Sequence, residues 1–202
     1  GEAGLAIRLT ESGDRIWSYS YASQANSRLI GATLTRDDKL IAVGWRERLP
    51  NTPDDGWVIA LGAGSGDRLW EDEIGGPGEE TLSDVTQLVD TRLVVVGNTE
   101  AGPEDRDALM VVYTPSGRRL AQRTHGGAKD DRWVSAAPLP NGGFVAAGRR
   151  TVPGTNRLGG WIVAFGADLA LRAEAFLVRA GRARLESVAV TPDGRIAAAG
   201  GQ

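Results

Sequence analysis

The residues with the most chemistry in them are few. His125 is the only histidine, set in "RTHGGAKDDRW" (Arg123 to Trp133) beside a Gly-Gly pair and ahead of Asp130 and Asp131. A Ser-His-Asp arrangement would need this histidine as its base. A metal centre would need carboxylates to complete it, because the chain has no cysteine. Four acidic pairs, Asp37-Asp38, Asp54-Asp55, Glu79-Glu80 and Asp130-Asp131, could bind calcium or serve glycoside hydrolysis. None spaces its oxygens at alternate positions as calcium loops do, and Asp is an ordinary turn former. The glycine-rich "GAGSGD", Gly62 to Asp67, follows the apolar run "WVIAL". A phosphate loop needs a helix N-terminus behind it, whereas the next stretch, "RLWEDEI", alternates like a strand. No catalytic residue, metal or cofactor is assigned from these stretches.

The elements that must position such residues follow from a repeat. Leu5, Trp57, Leu109 and Trp161 are each 52 residues apart, and so are Ile7, Ile59, Val111 and Val163, and Leu9, Leu61, Tyr113 and Phe165. Positions two residues apart that keep register through four copies are expected to form the buried face of a strand. Turn glycines follow in three copies, Gly13, Gly66 and Gly117, while the fourth has "GADL". After a second strand and a polar loop, each copy has two further short strands ending at Gly44, Gly97, Gly148 and Gly200. Four short strands per repeat of about 50 residues is the pattern of a β-propeller blade. The fold class is therefore all-β, a propeller of four four-stranded antiparallel blades of about 52 residues, with repeats at approximately 3–54, 55–105, 106–157 and 158–202 of one domain. The stretch 169–188 has a helix-favouring composition, but the register assigns it to strands. Closure as a single ring is expected, with an open half that pairs with a second copy, or with more blades of a longer protein, as the alternative.

"RLWEDEIGGPGEETLSDV" and "RRLAQRTHGGAKDDRWVSAAPLPNGGFVAAGRR" resemble the bacterial propeller repeats of the delta-60 and SBBP type, and more distantly kelch and quinoprotein blades. The resemblance covers all four copies and is sharpest in the second and third. It implies a fold and carries no catalytic residues to transfer.

Composition narrows the partners. The net charge is −3 with both signs interspersed, so neither nucleic acid nor an anionic membrane surface is indicated. The apolar runs are too short to span a bilayer as helices. The chain opens "GEAGLAIRL", without methionine or a signal-peptide run, as expected of a processed protein or an excised domain. The lack of cysteine leaves the compartment open; a bacterial extracytoplasmic setting is favoured.

Aligned on its sister copies, His125 stands where they have Tyr21, Ile74 and Leu177, so a packing role with a polar edge toward solvent is expected. Trp17, Trp70 and Trp133 are expected to pack between blades. Candidate binding residues lie past the repeat glycines, where the register places them on one rim: Trp45, Arg46 and Arg48, then Asn98, then Arg149 and Arg150. They lead into long polar loops, and Trp and Arg are enriched in binding hot spots. The reading is a non-catalytic interaction or scaffold module offering this rim to a protein partner or a neighbouring domain. The alternatives are a carboxylate-based hydrolase or lyase, a carbohydrate-binding propeller, or half of a larger propeller completed as a homodimer.

Overall fold

The computed structural model describes residues 2–21, 25–102, 105–127, 129–178 and 182–202, and these contain strands and turns without helix. In chain order the strands are β1 (Gly4–Leu9), β2 (Arg15–Tyr21), β3 (Ser27–Leu34), β4 (Lys39–Glu47), β5 (Asp54–Gly62), β6 (Arg68–Ile74), β7 (Glu80–Gln87) and β8 (Leu93–Gly102). They continue as β9 (Asp105–Tyr113), β10 (Arg119–His125), β11 (Arg132–Pro138), β12 (Phe144–Thr151), β13 (Leu158–Phe165), β14 (Leu171–Leu177), β15 (Arg184–Val190) and β16 (Ile196–Gly201). The stretch 169–188 supplies β14 and most of β15, as the register requires, with residues 179–181 outside the described set.

The strands assemble into three four-stranded antiparallel sheets, β3–β6, β7–β10 and β11–β14, flanked by two-stranded sheets β1–β2 and β15–β16. This corrects the phase of the repeat. A sheet takes the last two strands of one sequence copy and the first two of the next, so the copies straddle sheet boundaries. The long polar loops after β4, β8 and β12 are therefore hairpin connections within a sheet, not links between sheets. The ring expected from the sequence is not closed: β1 and β16 are not hydrogen-bonded neighbours.

Apolar faces pack sheet on sheet. Trp57, Ile59 and Leu61 of β5 face β1–β2 and cluster with Ala6 and Trp17. Leu109, Val111 and Tyr113 of β9 face β3–β6, and Trp161, Val163 and Phe165 of β13 face β7–β10. In the first copy the same positions are bare: Leu5, Ile7 and Leu9 are 61%, 52% and 48% exposed. Period-two patterning specified the face, but no sheet of the described residues covers it. Trp17, Trp70 and Trp133 pack between sheets as expected; Trp17 Nε1–H donates to Ala63 O at 2.9 Å, and Trp70 stacks on Tyr113 at 5.9 Å.

The repeat glycines do not end their strands; β4, β8 and β12 run on past Gly44, Gly97 and Gly148. Each faces a one-residue bulge in the first strand of its sheet, between Leu29 and Gly31, Leu82 and Asp84, and Trp133 and Ser135. A Cβ on these glycines would overlap the carbonyl oxygens of Arg28, Thr81 and Arg132. Gly200 of β16 meets Arg184 O in the same way across the same bulge, so β15–β16 is built as the first half of a blade. Close backbone approach at a bulge is a position only glycine fills.

Candidate functional site

The ends of β4, β8 and β12 share one rim of the arc with the connections between sheets. The two sets of loops are tied together: Glu100 N–H donates to Glu79 O (2.8 Å), Asp131 N–H to Arg106 O (2.6 Å) and Ala183 N–H to Leu158 O (3.1 Å). A side chain adds a further tie, with Thr151 N–H donating to Asp131 Oδ1 at 2.9 Å.

The predicted rim residues fall into three groups. Arg46 and Arg150 are brought into equivalent stacks. The Arg46 guanidinium carbon lies 5.3 Å from the Trp57 ring centroid, Arg46 Nη1–H donates to Glu71 Oε2 at 3.3 Å, and Trp57 Nε1–H donates to the same oxygen at 3.3 Å. Arg150 sits 4.9 Å over Trp161, with Nη1–H donating to Glu174 Oε1 at 2.9 Å and Trp161 Nε1–H donating to it at 2.7 Å. The cause is register. Gly44 pairs with Trp57 and Gly148 with Trp161, so an arginine two residues past each glycine falls diagonally across the indole. The middle sheet has Thr99 and Leu109 at these places and no stack.

Asn98 and Arg149 are held internally. Asn98 is buried, donating from Nδ2 to Thr81 O (3.3 Å) and accepting from Arg106 Nη1 (3.2 Å). Arg149 and Arg132 both pair with Asp130. Burial opposes ionisation of Asp130, but the bonds and charge from Arg132 and Arg149 hold its pKa below the usual carboxylate range. Arg48 is the most outward of the set. Arg48 is 60% exposed along its side chain while pairing with Asp55 and Glu73, and Trp45 is half-buried on β4 opposite Arg28 and Gly56.

Sequence reasoning missed Trp57, Trp161, Glu71 and Glu174 as part of this rim. The signal was present: an arginine precedes a tryptophan by eleven residues at Arg46–Trp57 and again at Arg150–Trp161.

His125 ends β10 and packs as its sister residues do, 5.2 Å from the Trp133 ring and 5.3 Å from Phe165. The residue is partly exposed, but its Nε2 is buried without a hydrogen-bond partner. Burial, with the charges of Arg123 and Arg150, pushes its pKa below the ordinary histidine value. The adjacent Gly-Gly has a packing cause. A Cβ on Gly126 would overlap Asp107 Oδ1, and one on Gly75 would overlap Asp55 Oδ1. Gly159 and Ala3 hold the corresponding places of the other copies, which have no Gly-Gly. Among the described residues no group of three or more His, Asp or Glu is arranged to hold a metal ion. "GAGSGD" is a hairpin turn between β5 and β6, with Gly66 at φ 75°.

No family model matches the sequence, and no curated protein matches it. Solved structures do resemble it. Sqt1 from Chaetomium thermophilum, a WD40 β-propeller protein, aligns with 96% of this chain and 47% of its own at 16% identity and a TM-score of 0.54. A protein of unknown function from Dyadobacter fermentans aligns with 93% of this chain and 59% of its own at 12% identity and a TM-score of 0.56. Sqt1 is also known bound to the N-terminus of the ribosomal protein L10. These likenesses establish a β-propeller-like fold, and the chain spans about half the length of the structures it matches.

Proposed function

We propose that this chain is a non-catalytic β-propeller interaction module whose loop rim takes a protein partner or a neighbouring domain. The observation that supports this most is the pair of Arg–Trp–Glu stacks on one rim. They fix the ends of β4 and β12 at little remaining entropic cost and leave Arg48 and its exposed neighbour Leu49 projecting beside them. The rim carboxylates work as structural counter-ions to Arg46, Arg48, Arg149 and Arg150. That fits a recognition surface better than a pair of free acid and base groups. The likeness in fold to Sqt1, a protein that binds a ribosomal-protein N-terminus, accords with such use.

Photo-crosslinking tests the rim. A photoreactive residue placed at Trp45 or Arg48 should capture a discrete partner, and one placed at Ser116, in the turn at the opposite rim, should not. Leu49→Ala, at a residue 57% exposed, should weaken capture from position 45 without changing the unfolding midpoint. Equal capture from both rims would overturn the assignment.

A further inference from the structure

Both ends of the arc are half-blades, and they are complementary. β15–β16 has the bulge and the glycine of a first half, while β1–β2 has the positions of a second half. In the three complete sheets the repeat glycine pairs with the strand that follows it in one register: Gly44 with Trp57, Gly97 with Leu109, Gly148 with Trp161. Carried to the ends, that register pairs Gly200 with Leu5, Ala198 with Ile7 and Ile196 with Leu9. The free edge of β16 and the bare Leu5, Ile7 and Leu9 face are what such pairing would cover.

We propose that two copies of this chain complete each other, β16 of each pairing with β1 of the other, to form a closed ring of eight blades. Three further features fit a second copy into this place. A hollow of about 410 Å³ beside β16 is lined by Leu177, Ala183, Leu185, Ala198 and Gly200. It corresponds to the site where the Trp57 ring rests near Gly4 and Leu29, so the incoming Leu5 fills it. Ile162 and Ala164 are only half-buried, whereas their counterparts Val58, Ala60, Met110 and Val112 are fully buried beneath the next sheet.

The third feature is a relay of hydrogen bonds between sheets at the bulges. Asp84 Oδ2 accepts from Ala136 N (2.9 Å), and Ser135 Oγ accepts from Val188 N (3.2 Å). The next acceptor in this series is the exposed Ser187, which the second copy meets with Ala32 N–H of its β3. Closure by the chain's own ends is not what the structure shows, because β1 and β16 are not hydrogen-bonded neighbours. A two-fold exchange uses the same surfaces on both copies and leaves no open strand edge.

The test uses the whole chain. Light scattering over a concentration series should give twice the 21.3 kDa monomer mass; a monomer throughout, or a ladder of higher oligomers, would overturn the proposal. Because the chain has no cysteine, Ile7→Cys and Ala198→Cys proteins can be prepared separately, mixed and oxidised. Both positions are exposed, so circular dichroism should match the parent. A disulfide-linked pair should form only in the mixture with one variant of each kind. A dimer without that link uses another surface, and a monomeric double variant that links internally closes on itself; either outcome refutes the exchange. Leu5→Arg should shift the mass to that of the monomer, and an unchanged dimer would count against Leu5 as its anchor.

Discussion

The Asp107 carboxylate occupies the space where a side chain on Gly126 would stand. The relationship recurs at Asp55 and Gly75 and is absent where Gly159 or Ala3 takes the aspartate's place. The Gly-Gly motif is thus the imprint of a cross-strand carboxylate. Gly126→Ala should lower stability by about 2 kcal/mol, the usual scale for overpacking. Asp107 Oδ1 is buried without a partner, so Asp107→Ala alone should be nearly neutral. The double variant should recover most of the loss, giving a coupling that urea titration of the four proteins would read.

The stack of Arg150 on Trp161 makes a second prediction. Arg150→Ala leaves Glu174 and Asp131 without their guanidinium and uncovers the indole face. A loss of about 1 kcal/mol is expected, with a change in the near-ultraviolet dichroism of tryptophan. Arg150→Lys should restore only part of it, because an ammonium cannot lie flat on the ring while donating to Glu174. Equal stability of the lysine variant and the parent would reduce the stack to simple charge pairing.

Thr91 has φ 72° in an exposed turn where the sister copies place Gly142 and Gly194. A β-branched residue is disfavoured in the left-handed region by about 1 kcal/mol or more. Thr91→Gly should raise the thermal midpoint by a few degrees, since the strain removed outweighs the extra freedom of the unfolded chain. A drop in the midpoint would show that the threonine side chain makes a compensating contact.

His125 gives a pH dependence. Burial, then Arg123 and Arg150, depress its folded-state pKa below 6.5, so the unfolded chain binds the proton more readily. Its contribution to stability is complete above about pH 6.5 and is lost as pH falls from there through the folded-state value. His125→Phe removes the titrating group and the partnerless Nε2, and should gain about 1 kcal/mol at neutral pH. The gain should be larger at pH 5 than at pH 8, measured by urea unfolding. The same gain at both values would remove His125 as the source of the dependence.

Much of the fold could be read directly. The spacing of Trp57, Leu109 and Trp161 identified equivalent strands because one apolar face must recur in each blade. His125 could be assigned to packing from Tyr21, Ile74 and Leu177 alone. The strand ends beyond Gly44 and Gly148 were legible but not their side-chain pairing: Arg46 and Arg150 could be read as arginines near loops, not as partners of Trp57 and Trp161. Their meeting depends on which strand pairs with which and in what register. A sequence repeat does not carry that information.

By itself the sequence determined the all-β class, the period, the apolar face of the equivalent strands and the recurring glycines. These are local matters of alternation, turn geometry and side-chain volume, and each copy expresses them almost independently. Only the tertiary structure decided where one blade stops and the next begins. Hydrogen-bonded edges and the contacts of Leu5, Ile7 and Leu9 are long-range, and the same alternating pattern is satisfied whether a neighbour covers it or leaves it bare.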